Sequence, residues 1–118
     1  MKHQIGRKKL NMKPSHKRSV LRNQIITMIM HGHLESTKVR VQEVRKMVEK
    51  LVTLARKGNN FSVRRRVHSL VPYNDEAIDK LFKEIAPKYV SRPGGYTRVI
   101  PMGQRESDTA TIARLEWV

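Results

Sequence analysis

Apolar residues recur in steps of three and four at Val41, Val44, Val48, Leu51 and Ala55. That spacing keeps one side of a helix apolar, so it predicts an amphipathic α-helix over 39–57, widened by Met47 and Leu54 and stopped at Gly58. An earlier segment is divided along its length instead. Its first turns carry His16, Lys17, Arg18 and Arg22, whereas Ile25, Ile26, Met28, Ile29 and Met30 are apolar nearly all the way round. This predicts a helix from a Ser15 cap to about His31, closed by Gly32, with one end buried on more than one side and the other free. Between the two helices, 34–37 reads as a brief strand running into a helix start. Val63, Val67, Leu70 and Val71 share a side of a third, short helix that Asn60 or Ser62 caps and Pro72 ends. A fourth, capped by Asn74 or Asp75, turns Ala77, Ile78, Leu81, Phe82 and Ile85 inward and stops at Pro87. After the Pro93-Gly94-Gly95 break, 96–100 is β-branched and aromatic. Residues 109–118 alternate Ala113, Leu115 and Trp117 against Arg114 and Glu116, with 103–108 as a hairpin loop. The expected fold is α+β, about four helices packed on one face of a small three-stranded sheet. It is one domain over 15–118, preceded by an arm over 1–14 in which Ile5, Leu10 and Met12 show no period.

Charge narrows the range of partners. The 118 residues hold 25 Lys+Arg against 10 Asp+Glu, a formal charge of +15. Residues 1–66 hold 18 basic and 3 acidic residues, while 67–118 hold 7 of each, so the whole excess lies in one half. Residues 1–33 contain Lys2, Arg7, Lys8, Lys9, Lys13, Lys17, Arg18 and Arg22 and no acid at all. Such a block repels itself and calls for a polyanion, so the arm and the first helix are expected to bind nucleic acid through its phosphates. The third helix carries Arg64-Arg65-Arg66 on its exposed side, and most of the polar face of the second (Glu43, Arg45, Lys46, Glu49, Lys50, Arg56, Lys57) is then solvated or RNA-facing. An Arg45–Glu49 pair on that face is worth only about 0.2–0.5 kcal/mol. Gly94 and Gly95, flanked by Arg92 and Arg98, permit either a positive φ or close approach of the backbone to a phosphate. The aromatics are too dispersed for a base-stacking ribbon, so phosphate and shape are expected to dominate.

Other chemistries find little support. With no cysteine there is no disulfide scaffold, thiolate zinc site or cysteine nucleophile, which fits a reducing compartment. His31 and His33 lack further ligands for a metal, and no phosphate-cradling loop, nucleophile elbow or metalloprotease motif occurs. Asp75, Glu76 and Asp79 lie in the first turns of a helix, where capping explains them. No catalytic residue, metal or cofactor is expected, nor any small-molecule substrate. No apolar run approaches the roughly 20 residues that span a bilayer, and the start lacks a signal-peptide pattern, so a soluble, unprocessed protein without a membrane partner is expected. A sequence-specific DNA-binding module is the alternative. It would need a base-reading recognition helix, where 63–71 offers consecutive arginines instead.

Specific runs carry a resemblance. Met1-Lys2-His3, Leu10-Asn11, Ser15-His16-Lys17 and Leu21-Arg22-Asn23, then Thr37, Glu43, Arg45, Glu49 and Leu51-Val52-Thr53-Leu54-Ala55, stand in order along the chain. Lys80-Leu81-Phe82, Glu84, Pro87-Lys88-Tyr89 and above all Arg92-Pro93-Gly94-Gly95-Tyr96-Thr97-Arg98 follow. Together they resemble the bacterial-type large-subunit ribosomal protein seventeen family over essentially the whole chain. Lys2 and Lys17 stand where arginine is usual, Met12 where a base is, and Val39, Val41 and Gln42 where the family has Pro, Ala and Lys. The stretch around 64–66 aligns only with a change of length. The resemblance implies a cytoplasmic structural constituent of the large ribosomal subunit, on its outer surface near the peptide-tunnel exit, with large-subunit rRNA and neighbouring ribosomal proteins as partners. The candidate rRNA contacts are then Lys2, His3, Arg7, Lys8, Lys9, Asn11, Lys13, Ser15, His16, Lys17, Arg18, Arg22, Asn23, Arg64, Arg65, Arg92, Gly94, Gly95, Tyr96 and Arg98.

Overall fold

The computed structural model describes residues 12–72 and 74–118. Six of the candidate contacts, Lys2, His3, Arg7, Lys8, Lys9 and Asn11, lie outside the described residues, as does most of the expected arm.

Helix α1 spans Pro14–His31. Its cap is Lys13 rather than Ser15: Pro14 occupies the first turn, where its missing N–H is no loss and its fixed φ suits the helix, which puts Ser15 inside. Ile25, Met28 and Ile29 are buried, Ile26 and Met30 partly so, and Gly32 at φ 83° donates its N–H to the Met28 carbonyl and ends the helix. Strand β1 (His33–Thr37) runs directly into α2 (Lys38–Ala55). On α2 the expected stripe of Val41, Val44, Val48, Leu51, Leu54 and Ala55 is buried, and Val52 joins it. Val52 is buried because α2 is the hub, in contact with all three strands and with α1, α3 and the chain after α4. A helix covered on several sides buries more than one stripe.

Helix α3 (Phe61–Leu70) starts at Asn60, whose side-chain oxygen accepts from the Val63 N–H at 3.1 Å; Asn74 does the same for α4 (Asp75–Lys80) through Ala77. Of the paired alternatives in the sequence, the asparagine is the cap both times. The helical path does not stop at Pro87. It passes through a π turn (Leu81–Ile85) and a 3₁₀ turn (Ala86–Tyr89). Pro87 has no N–H for the preceding turn, so the hydrogen bonding re-registers, the Ala86 N–H reaching back to Leu81, and Ile85, Ala86 and Tyr89 still enter the core.

Strands β2 (Thr97–Gln104) and β3 (Thr111–Trp117) form the hairpin, and its loop lies at 105–110 rather than 103–108 because β2 runs on to Gln104. The sheet is antiparallel in the order β1-β3-β2, so the last strand lies between the other two. Leu34, Leu115 and Val99 share one row on the helix side. On the opposite face the rows are His33–Glu116–Arg98 and Glu35–Arg114–Ile100. Pro101 sits on an edge strand, where it breaks no ladder bond to a neighbour beyond it. The architecture is the expected α+β one, four helices on one face of three strands.

Candidate nucleic-acid interface

Two basic segments far apart in sequence meet. Arg18, Arg22, Leu21 and Ile25 of α1 line a small cleft with Met47 of α2 and Leu70 of α3. The Arg22 guanidinium donates to the Ser69 carbonyl at 3.4 Å. Ser69 in turn borders a shallow depression with Arg65, Arg66, Ser62 and Phe61. Arg18, Arg22, Arg66 and Arg65 therefore form one continuous strip across α1 and α3. Neither 12–34 nor 56–72 contains an acid, so nothing on these segments neutralises it. Lys13, Ser15, His16, Arg18 and Asn23 are exposed on the free end of α1, and Lys17 and Arg22 are half-buried.

Arg64 is held differently from its neighbours. It makes a close ion pair with Asp79 of α4 and stacks over Phe82 with its guanidinium carbon 5.9 Å from the ring centre. That hydrogen bond, partly offset by desolvation, keeps the Asp79 carboxyl below the usual carboxylate range. Arg64 thus ties α3 to α4, while Arg65 and Arg66 point away.

The glycine turn is anchored from below. Glu49 Oε2 accepts the Tyr96 N–H at 3.1 Å, and Oε1 accepts the Thr97 N–H at 3.2 Å and the Thr97 hydroxyl at 2.8 Å. One and two turns further along α2, Thr53 Oγ1 lies 3.2 Å from the Tyr96 hydroxyl and Arg56 donates to that hydroxyl at 3.1 Å and to the Val90 carbonyl at 2.9 Å. Tyr96 is fully buried against Tyr89, ring centres 5.3 Å apart. Two sequence expectations change accordingly. Glu49 and Arg56 are not on a solvated or RNA-facing side, and the Tyr96 ring is a structural anchor that offers no face to a ligand. The cause is tertiary: the turn before β2 packs on the flank of α2 and needs acceptors for its backbone N–H groups.

Arg92 and Arg98 flank this turn. The Arg92 guanidinium carbon lies 5.3 Å from the centre of the Tyr89 ring, whose hydroxyl is pushed up by burial, with Arg92 opposing. Arg98 pairs across the strands with Glu116 at 3.4 Å, as Arg114 does with Glu35 at 3.4 Å, so the outer sheet face is charge-balanced. Of the two glycines, Gly95 takes φ 63°, while Gly94 has an ordinary φ; a Cβ on either would meet nothing within 4 Å. Gly95→Ala is therefore expected to cost about 1–2 kcal/mol of stability through the left-handed backbone, and Gly94→Ala almost nothing, as thermal melting of the two variants will show.

In the sequence Phe61 counts only as one of the dispersed aromatics, and the Arg22–Ser69 junction is not visible there. A signal for the first existed: Phe61 stands two residues before Val63, hence across α3 from the buried stripe. No local signal predicts the junction. His31 and His33 border an open hollow with Thr27 and Glu35, and among the described residues no group of three or more His, Cys, Asp or Glu side chains is placed to hold a metal. No described helix is long and apolar enough to cross a membrane.

Known proteins resemble this chain over most of its length. The model of the family described as ribosomal protein L17 matches residues 20–118. The large ribosomal subunit protein bL17 of Akkermansia muciniphila is 40% identical over 116 residues, covering 98% of this chain and 84% of that protein. Its namesake in Neorickettsia sennetsu is 38% identical over the full length of both chains. That of Clostridium novyi is 43% identical over 94% of this chain and 96% of its own.

Proposed function

This chain belongs to the ribosomal protein L17 family, and from that premise we propose that it is a structural constituent of the large ribosomal subunit that binds large-subunit rRNA through its basic N-terminal segment and first helix. The observation that carries the proposal further than the family is the acid-free strip from Arg18 and Arg22 to Arg66 and Arg65. A row of guanidinium groups on two rigid helices neutralises backbone phosphates at fixed spacing and releases their counterions. The strip reads shape rather than sequence. Lys13, Ser15, His16, Lys17 and Asn23 extend it along α1, and Lys2, His3, Arg7, Lys8, Lys9 and Asn11, which lie outside the described residues, are taken as further rRNA contacts from the sequence.

The glycine turn adds a second contact. A Cβ on Gly94 would meet nothing within 4 Å among the described residues, which leaves the backbone open to close approach by an rRNA phosphate beside Arg92. Glu49 and Tyr96 hold that turn in place. The outer face of the sheet, with its paired charges around Ile100 and Ile112, suits a protein neighbour better than phosphate. The protein sits in the cytoplasmic ribosome, on the outer surface of the large subunit near the peptide-tunnel exit.

Sucrose-gradient sedimentation of native lysate tests this directly. The protein is expected to sediment with the large subunit at stoichiometric level and to stay there through a high-salt wash. Its absence from those fractions, or release at modest salt, would mean that the strip serves a looser partner such as DNA.

A further inference from the structure

Phe61 is 82% exposed, more than any other large apolar side chain among the described residues. It opens α3 on the face away from the core, and the ring has hollows on both sides: one bordered by Ser62, Arg65, Arg66 and Ser69, the other by Arg64, Arg65 and His68. Among the described residues the ring contacts join Tyr89, Tyr96 and Trp117, and none involves Phe61. On one side of the ring Arg64 and His68 face Asp79 and Asp75 of α4, while on the other Arg65 and Arg66 stand on a segment without acids, and their charge repels a second copy of this basic chain. The ring matches one ligand chemistry well: a flat base lies on it while its neighbouring phosphates meet the guanidinium groups. A base can do this only if it is out of its helix. We infer that Phe61 is the stacking platform for one unpaired base of the bound rRNA, with Arg65 and Arg66 holding the phosphates that flank it. The inference rests on the rRNA-binding reading above and adds base contact to what is otherwise a phosphate-reading surface.

The test uses the full chain and an in vitro transcript of the complete large-subunit rRNA from the organism that encodes it, titrated across a range of salt. Phe61→Ala and Phe61→Leu are expected to lower the affinity by about 5- to 150-fold while leaving the salt dependence unchanged, because stacking releases no counterions. Phe61→Tyr, which keeps the flat ring, should bind like the wild type. Arg65→Ala with Arg66→Ala should instead flatten the salt dependence. Ultraviolet crosslinking should attach a single nucleotide to the tryptic peptide 58–64. Since Phe61 is exposed, all three of its variants should melt with the wild type.

Normal binding by Phe61→Leu would overturn the inference, because a generic apolar contact would then suffice. So would equal losses in Phe61→Leu and Phe61→Tyr, or normal binding by Phe61→Ala while the double arginine variant is weakened; the rRNA reading itself would survive that last result. If the wild type shows no preference for the rRNA over random duplex DNA at matched salt, both readings fall together.

Discussion

Replacing Glu49 with alanine is expected to lower the melting temperature by roughly 10 °C, the largest stability effect of any single polar substitution on α2. The carboxylate accepts three hydrogen bonds, from the Tyr96 and Thr97 backbone N–H groups and the Thr97 hydroxyl. Tyr96 is fully buried and Thr97 only 3% exposed, so water has poor access to the donors left behind. A buried donor without a partner costs about 1–3 kcal/mol, and partial entry of water through the space vacated by Glu49 brings the total to about 3 kcal/mol. At this chain length each kcal/mol is worth about 3–5 °C. Glu49→Gln should fall between alanine and the wild type, because the amide keeps one oxygen that can accept while its nitrogen opposes a donor. Thermal unfolding followed by circular dichroism decides the matter. An alanine variant that melts with the wild type would mean that the turn before β2 is held by the Tyr96 ring alone.

The second large effect is on binding. Changing Lys13, Arg18, Arg65 and Arg66 together to alanine is expected to reduce the slope of log affinity against log salt by about three, each lost phosphate contact removing ~0.7–0.9. Near 0.1 M salt that corresponds to roughly a thousandfold weaker binding of the rRNA. All four side chains are exposed, so the melting temperature should not move. Alanine at Lys83 and Lys88, exposed residues of the charge-balanced half, serves as the control, and a much smaller change in slope is expected there. Equal changes in the two sets would show that the binding responds to total charge rather than to the strip. Arg64 is left out of the set because Asp79 already holds it, so its removal would disturb the α3–α4 contact as well as any phosphate.

Much of this was legible along the chain because it depends on neighbours a few residues apart. The α2 stripe, polar caps at the starts of α3 and α4 (each narrowed to two residues), the lengthwise division of α1 and the alternation in β3 are all consequences of helical or strand periodicity and of backbone groups that need partners at helix ends. The order and spacing of short runs along the chain, with Arg92 to Arg98 above all, carried a family resemblance, which the match of residues 20–118 bears out. Where the local reading slipped, a competing local rule won: Pro14 in the first turn displaced the cap from Ser15 to Lys13, and the chain beyond Pro87 kept a helical path by changing its hydrogen-bond register.

The order of the elements, most of their buried faces and the excess of positive charge in one half follow from the chain alone, because side-chain period and charge are properties of the chain whatever it packs against. Which polar residues of α2 turn inward, the place of the last strand between the other two, and the contact of Arg22 with Ser69, 47 residues away, which joins two basic helices into one strip, depend on how the elements pack. Those outcomes come from pairings between distant segments. A buried N–H in the turn before β2 must find an acceptor, and Glu49 became that acceptor because the packing of that turn on α2 set it there.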